Sequence, residues 1–483
     1  MSSPGQLSPV LRDVVARAHD RGSYERWREQ IASTGYCSRP VRLTGRTTAV
    51  DKRTGEAIQT YSTADEPDGT LLKACGNRRA SVCPSCSATY RADAWQLIAA
   101  GLRGGKGVPD SVSGHPILFV TLTAPSFGPV HSRRDRGGKV HPCHPRGPKN
   151  RCRHSRPLGC WQRHEADDDS VGEPLCADCF DFDGAVLWNA SAPDLWRRTT
   201  IYLRRSLARL AGMTVAESSR LVRVSYTKVA EYQRRGLVHF HAVVRLDRKQ
   251  QDNQARWEPP PAFFHAQLLA QAIRTAAALV TVPLPSGRGS CRHRRVARWG
   301  QQIDIRRVAA GPDGQLTAET VAAYIAKYAT KDTEALGRLE PVEADEDLDR
   351  LQVTAHVSRL ARAAWRLGSD PDLADLRLRR SAHTLGYGGH WSTKSRRYST
   401  TFTALRRARM DWKLRRRLGG RDPVDPWGRH LSEQAAVVLG QWRYAGSGYR
   451  TVGDAWLAES ASADAREQRR IAREELACTF AAA

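Results

Sequence analysis

The chain has 483 residues, 40% of them hydrophobic, enough for two or three domains with their own cores. Lys and Arg outnumber Asp and Glu by 76 to 50, a formal net charge of +26, which points to a polyanionic partner, nucleic acid first. No run reaches the roughly 18 apolar residues of a membrane span, and the N-terminus "MSSPGQLSPVLRDVVARAHD" lacks a basic-then-apolar leader, so the expectation is a cytoplasmic protein with no membrane partner, whose 11 cysteines serve as metal ligands rather than disulfides.

In chain order, residues 8–33 have amphipathic helical spacing, and "SATYRADAWQLIAAGL" closes the first cysteine-bearing region as a helix. "HPILFVTLTA" (115–124) is a run of β-formers and predicts a buried strand. Residues 128–183 are rich in Pro, Gly, Arg, His and Cys and have no periodicity, so metal orders them or nothing does. A basic helix follows over 192–213. "LVRVSYTKVAEYQRRGLVHFHAVVRL" then predicts strand, tight turn and strand. "PAFFHAQLLAQAIRTAAAL" predicts a helix, "QIDIRRV" (302–308) a short strand, and "LTAETVAAYIAKYATKDTEAL" a helix capped by Thr317. The acidic "LEPVEADEDLD" reads as a linker, and the remainder as basic and mainly helical.

Nine of the cysteines fall into two groups. Cys75, Cys83 and Cys86, with Cys37 as a fourth, contain the C-P-S-C knuckle of tetrahedral zinc turns. Cys143, Cys152, Cys160, Cys176 and Cys179 interleave with His144, His154 and His164, more ligands than one Zn2+ needs, and spacing alone does not partition them.

Within "VHFHAVV", His239, His241 and Val243 share one face of a strand, and Val238, Phe240, Ala242 and Val244 share the other. A turn near Gln233–Gly236 sets Glu231 opposite His239 or His241, with cross-strand neighbours ~5 Å apart. A carboxylate and two imidazoles then make a three-ligand site with positions left for water and substrate. The bland alternative is two ordinary histidines on a polar face.

"AAYIAKYATKD" spaces Tyr324 and Tyr328, and Lys327 and Lys331, four apart, so each pair stacks on one helix face. An ammonium beside a phenol favours phenolate and attracts phosphate, as a tyrosine attacking DNA would need. A helix that merely buries two aromatics has the same spacing. Further on, "TKSRRYSTTFTALRRAR" mixes hydroxyls, Arg and aromatics and predicts DNA contacts by Lys394, Arg396, Arg397, Tyr398, Arg406 and Arg407.

Three pieces occur in order: "ILFVTLTAP" (117–125), "HFHAVV" (239–244) and "YIAKYATKD" (324–332). Together they resemble the rolling-circle replication initiators of the HUH endonuclease superfamily. "EYQRRGLVHFH" and "GHWSTKSRRYSTTFTALR" (389–406) narrow the likeness to the RepSA-like initiators of actinobacterial plasmids and integrative elements. The resemblance implies an α+β fold: a nicking domain with a central antiparallel sheet, RNA-recognition or ferredoxin-like, flanked by helices. The expected domains are 1–110, an N-terminal helix with a zinc-binding region; 111–335, the nicking domain with its Cys/His-rich insertion at 128–183; 336–347, a linker; and 348–483, a basic helical DNA-binding region.

By the same resemblance His239, His241 and Glu231 hold Mg2+ or Mn2+, and Tyr328 matches the nucleophile. Tyr324 stands where several relatives have Glu and suggests a two-tyrosine exchange. The implied activity is nicking of one strand at a plasmid origin, giving a 5′-phosphotyrosine link and a free 3′ hydroxyl primer, then rejoining. Implied partners are origin DNA, duplex and single-stranded, and the host helicase and DNA polymerase. An HUH transposase or relaxase, and a non-catalytic zinc-containing DNA-binding regulator, are the competing readings.

Overall fold

The computed structural model describes residues 8–51, 54–147, 149–249, 257–284, 296–309, 316–330, 336–337, 339–417 and 436–481. They form an α+β protein whose contacts divide into two units, Met1–Asp93 with Phe402–Ala483, and Ala94–Thr401. This partition differs from the expected boundaries at 110 and 348. The reason lies in Ala436–Ser447, which is a strand rather than part of a helical region and pairs antiparallel along the whole of Val41–Asp51. Its "AVVLGQWRYAGS" is rich in β-branched and aromatic residues. Ala57–Ser62 and Leu71–Lys73 pair with the same central strand.

Two helices, Pro9–Ala18 and Arg21–Ser33, replace the single helix expected over 8–33. Asp20 breaks it by accepting from the N–H groups of Gly22 and Ser23 at 3.0 and 3.2 Å. Arg17 ties the first of them to Asp68 and Asp454, each at 2.7 Å.

The second unit is built on a six-stranded sheet. Its strands are β1 (Ile117–Leu122), β2 (Val222–Tyr232), β3 (Val238–Arg248), β4 (Ile303–Ala309), β5 (Leu316–Thr317) and β6 (Ser392–Lys394). Their spatial order is β5-β4-β1-β3-β2-β6, antiparallel throughout except for the β4–β5 pair. The alternation expected of β3 places Val238, Phe240, Ala242, Val244 and Leu246 in the main core. There the Phe240 ring meets Trp196 and Trp299 at 6.0 and 5.5 Å. The helices α1 (Phe182–Leu210), α2 (Ala266–Leu279) and α4 (Ala355–Leu367) cover the apolar face of the sheet and α3 (Ala318–Ala329) its other face; Leu195, Leu269, Ile273, Ile325 and Leu360 of these helices are buried. Each such side chain contributes ~1.5–3 kcal/mol by leaving water.

Helix α1 begins ten residues earlier than expected, capped by Asp181, whose carboxylate accepts from Gly184 N–H at 2.9 Å. Pro193 lies inside it, a residue that on sequence grounds marks a start. Residues 339–349 are not a linker: Leu339, Val342 and Leu348 are buried in the main core, and Asp345–Asp349 forms a short helix. The cap of α3 is as expected, with Thr317 Oγ1 accepting from Thr320 N–H at 3.2 Å. No helix among the described residues is long and apolar enough to cross a membrane.

Candidate functional site

The β2–β3 hairpin brings the three expected ligands together. Its turn closes with Gly236 N–H donating to Gln233 O and Gln233 N–H to Leu237 O, both at 2.9 Å. Gly236 has φ +75°, the left-handed region that favours glycine, and a Cβ there would displace the end of the Leu360 side chain. This register sets Glu231 opposite His239 and Val229 opposite His241. Glu231 Oε2 lies 3.0 Å from His239 Nε2 and 3.3 Å from His241 Nε2. On the neighbouring strand Thr121 stands opposite His241, with Oγ1 3.0 Å from Nδ1. A tautomer with Nδ1–H donating to Thr121 leaves the Nε2 lone pair for a cation. Thr121 belongs to the first motif, yet its role as this partner was not legible in the sequence.

Helix α3 lays both phenols over this group. Tyr324 Oη is 3.4 Å from His241 Nε2, and the ring of Tyr328 is 5.5 Å from that imidazole. The two phenol rings are 4.6 Å apart, centroid to centroid, and Phe119 closes the cluster edge-on to Tyr324 at 5.7 Å. Tyr324 is 38% exposed, so an incoming strand can reach it. Lys327 is exposed with its ammonium 5.9 Å from the Tyr328 ring centroid. Lys331 lies outside the described residues.

The electrostatics correct one expectation. Burial holds Tyr324 above the ordinary phenol range, and its bond to Tyr328 and the charges of Tyr328 and Glu231 act the same way. Burial also raises Tyr328, against a smaller opposite effect of its bond to Tyr324. The lysine spacing therefore does not produce a phenolate here. Burial keeps His241 neutral below its usual range, despite Glu231. Burial would raise Glu231, but the bonds from His239 and His241 outweigh it and hold the carboxyl below its usual range. A neutral imidazole at His241 and an ionised carboxylate at Glu231 are the states a cation needs.

Among the described residues, nine cysteines and three histidines form three groups of four ligands. They are Cys37, Cys75, Cys83 and Cys86; His131, Cys143, Cys160 and His164; and Cys152, His154, Cys176 and Cys179. In the first, Cys75–Cys86 and Cys37–Cys83 sulfur separations are both 3.7 Å. That is far beyond a disulfide bond of about 2.05 Å. It equals the edge of about 3.7 Å that Zn–S bonds of about 2.3 Å impose at a tetrahedral angle. Of the three histidines singled out by spacing, His154 and His164 join these groups and His144 does not. His131 does, although its distance from the nearest cysteine hid it.

The expected DNA-contact residues diverge. Tyr398 is fully buried, its hydroxyl donating to Ile98 O at 3.1 Å, and it packs where a Cβ on Gly101 would collide with its ring at 2.3 Å. It cannot stack on a base. Lys394 Nζ donates to the carbonyls of Ser395, Arg396 and Ser399 at 3.5, 3.4 and 3.2 Å, and burial lowers its pKa. Arg396 is exposed, and the Arg397 carbonyl accepts from Trp257 at 3.1 Å. Arg406 and Arg407 are exposed on the helix Phe402–Arg417, in the other unit.

Fold and site together define an α+β protein whose sheet presents a carboxylate and two imidazoles beneath two phenols, with three further four-ligand groups. The family model described as "RepSA: Replication initiator protein, pSAM2" matches residues 23–463. A "Replication initiator protein" of Streptomyces ambofaciens is 43% identical over 484 residues, spanning 98% of this chain and 96% of the relative. The chain belongs to the RepSA family of replication initiator proteins. No solved structure matches it.

Proposed function

We propose that this replication initiator binds its origin, nicks one DNA strand by tyrosine transesterification in rolling-circle fashion, and rejoins the strand at termination. The supporting observation is the 3.4 Å approach of the Tyr324 hydroxyl to His241, with Tyr328 packed on the same imidazole. The mixed set of one carboxylate and two imidazoles suits Mn2+ or Mg2+ held by Glu231, His239 and His241. Bound there, such an ion would supply positive charge against a phosphate oxygen.

The chain's own groups do the rest. Tyr328 forms a bond to phosphorus as the bond to the 3′ oxygen breaks; the phenol loses its proton and the departing oxygen gains one. One phosphate ester replaces another, so no ATP is consumed. Tyr324, on the same face, would carry a second exchange at termination. Thr121 fixes the orientation of His241, and Glu231 orients both imidazoles. A cleft of about 810 Å³ opens at the strand ends beside the hairpin, lined among others by Arg133, Arg298, Gln301 and Gln302, chemistry suited to an unpaired strand's phosphates. Zn2+ is the ion we assign to the four-thiolate group, in a structural role. A host helicase would unwind the duplex while DNA polymerase extends the 3′ hydroxyl.

The test is covalent capture of labelled origin DNA by full-length protein with Mn2+. Tyr328→Phe should bind the origin normally and capture none of the fragment that begins at the nick. Undiminished capture by that variant would falsify the assignment of Tyr328.

A further inference from the structure

The second and third cysteine–histidine groups have an order along the chain that spacing alone did not disclose. The ligands come in four successive pairs: His131 with Cys143, Cys152 with His154, Cys160 with His164, and Cys176 with Cys179. The first and third pairs converge in one group, and the second and fourth in the other. Each group therefore closes a loop that carries ligands of its neighbour. Four separations fit tetrahedral zinc, and His131 Nδ1 lies 4.0 Å from Cys143 Sγ. His131 Nδ1 is 3.2 Å from His164 Nε2, and Cys160 Sγ is 3.5 Å from the same nitrogen. His154 Nδ1 is 3.2 Å from Cys179 Sγ and 3.7 Å from Cys176 Sγ. Zn–S and Zn–N bonds predict about 3.5 Å for a sulfur–nitrogen edge and about 3.3 Å for a nitrogen–nitrogen edge.

The ligand His164 also has the outer partner typical of such a site. Its Nδ1 is 2.7 Å from Asp168 Oδ2, and Ser170 holds the other oxygen of that carboxylate through its hydroxyl at 2.7 Å. From Asp168 the connection runs straight to the hairpin: Arg234, in the turn between Glu231 and His239, donates to Asp168 O at 2.6 Å. Gly172, with φ +98°, presses against the same turn, and a Cβ there would meet the Arg234 carbonyl carbon at 2.6 Å. The Gly172 N–H in turn donates to His131 O at 2.9 Å, so both ends of the first zinc group touch the turn's supports.

We propose that these eight ligands form a cross-braced pair of zinc sites that holds the turn of the β2–β3 hairpin, and so positions Glu231 and His239. The zinc content stands whether or not the chain nicks DNA; only the positioning role rests on the hairpin's proposed function. Asp168 and Arg234 are positioning residues: they touch neither phosphate nor phenol.

Metal analysis by mass spectrometry on the full chain is expected to find three zinc ions, one in the four-thiolate group and two in the cross-brace. Cys152→Ser should lower the count to about one, because the interleaved loops lose both ions together. A count of two would mean independent sites and overturn the cross-brace, as would a single zinc in the unaltered chain. Should Cys152→Ser not fold, titration of the unaltered chain with a mercurial thiol reagent reads the same property. Two of the three ions should leave over the same equivalents, and three separate steps would overturn it. For the positioning role, amide hydrogen exchange over residues 231–239 should quicken several-fold in Arg234→Ala with all three zinc ions retained. Unchanged exchange there would remove it. Neither readout uses nicking, so a failure to nick DNA would leave both decisions intact.

Discussion

The Tyr324 hydroxyl stands 3.4 Å from Nε2 of His241, the nitrogen that is itself 3.3 Å from Glu231. One imidazole thus links a helix-borne phenol to a sheet-borne carboxylate. Residues 83 positions apart in the chain meet because α3 crosses the open face of the sheet opposite the apolar face of β3. A phosphodiester held between them would face both phenols at once.

Tyr324→Phe separates the two phenols. It should leave the first covalent capture, by Tyr328, within a few-fold of normal and block a second strand transfer. The measurement is release of a rejoined circle from a substrate with two nick sites. Normal circle yield from the variant would reduce Tyr324 to a packing residue.

Glu231→Gln keeps the size of the side chain and removes its charge. Mn2+ binding, followed by calorimetry or electron paramagnetic resonance, should weaken by roughly tenfold or more. High Mn2+ should restore part of the nicking. Equal affinity in the variant would show that the carboxylate only orients the imidazoles.

The pH profile of capture follows from the buried groups. Both tyrosines are held above the usual phenol range, so they remain protonated at neutral pH and lose their protons only in alkali. Capture at saturating metal should therefore climb from neutral pH toward about pH 10. On the acid side, protons compete with the cation for His241. Its depressed pKa moves that competition below the ordinary imidazole value of about 6.5, so metal binding should persist to lower pH than in a free His pair. A rate that falls above neutral pH would contradict the phenol assignment.

Lys228 lies on the apolar side of β2, 3% exposed, with Nζ 4.0 Å above the Phe240 ring. It donates to His390 O at 2.9 Å and Tyr387 Oη at 3.2 Å. Burial pushes its pKa down to about 7. The unfolded chain, with a lysine near ~10.4, takes up this proton first as pH falls, so stability is lost between ~10.4 and 7. Lys228→Met should raise stability at neutral pH by ~1–3 kcal/mol after the lost hydrogen bonds, seen as a higher melting temperature, and flatten the rise in stability toward alkaline pH. An unchanged pH slope in thermal denaturation would show that the amine is solvated.

Origin binding should distinguish the basic residues from their buried neighbour. Arg396→Ala removes an exposed cation and should lower the log–log salt slope of binding by about one if it contacts a phosphate. Tyr398→Phe should leave affinity and slope unchanged and cost ~1 kcal/mol of stability through the lost bond to Ile98.

Much of the hairpin was legible because it is local. Gly236 and the period-two pattern of 238–244 dictate both the turn and the face on which the imidazoles stand, and the register leaves only two partners for Glu231. The phenol spacing of four was equally local, and α3 forms from its expected cap at Thr317, running Ala318–Ala329 within the longer stretch read as helix. Tyr398 was misread because its neighbours Arg396 and Arg397 are the kind that contact DNA. Its burial depends on the bare surface of Gly101, almost three hundred residues earlier, which no window around 398 contains. The acidic stretch at 339–349 was misread for the opposite reason: its three apolar anchors are sparse, and only the core they enter makes them matter.

The sequence by itself determined the residue types that meet at the candidate site, the strand and helix that carry them, and the family to which the chain belongs. Those follow from short-range periods and turn chemistry, where each residue constrains its near neighbours. The tertiary structure alone decided which cysteines and histidines gather into one group, that Ala436–Ser447 returns to the N-terminal strand, and that burial raises both phenols. Each of these is a meeting of segments distant along the chain, and many alternative closures differ little in local energy. Only the packed whole selects among them.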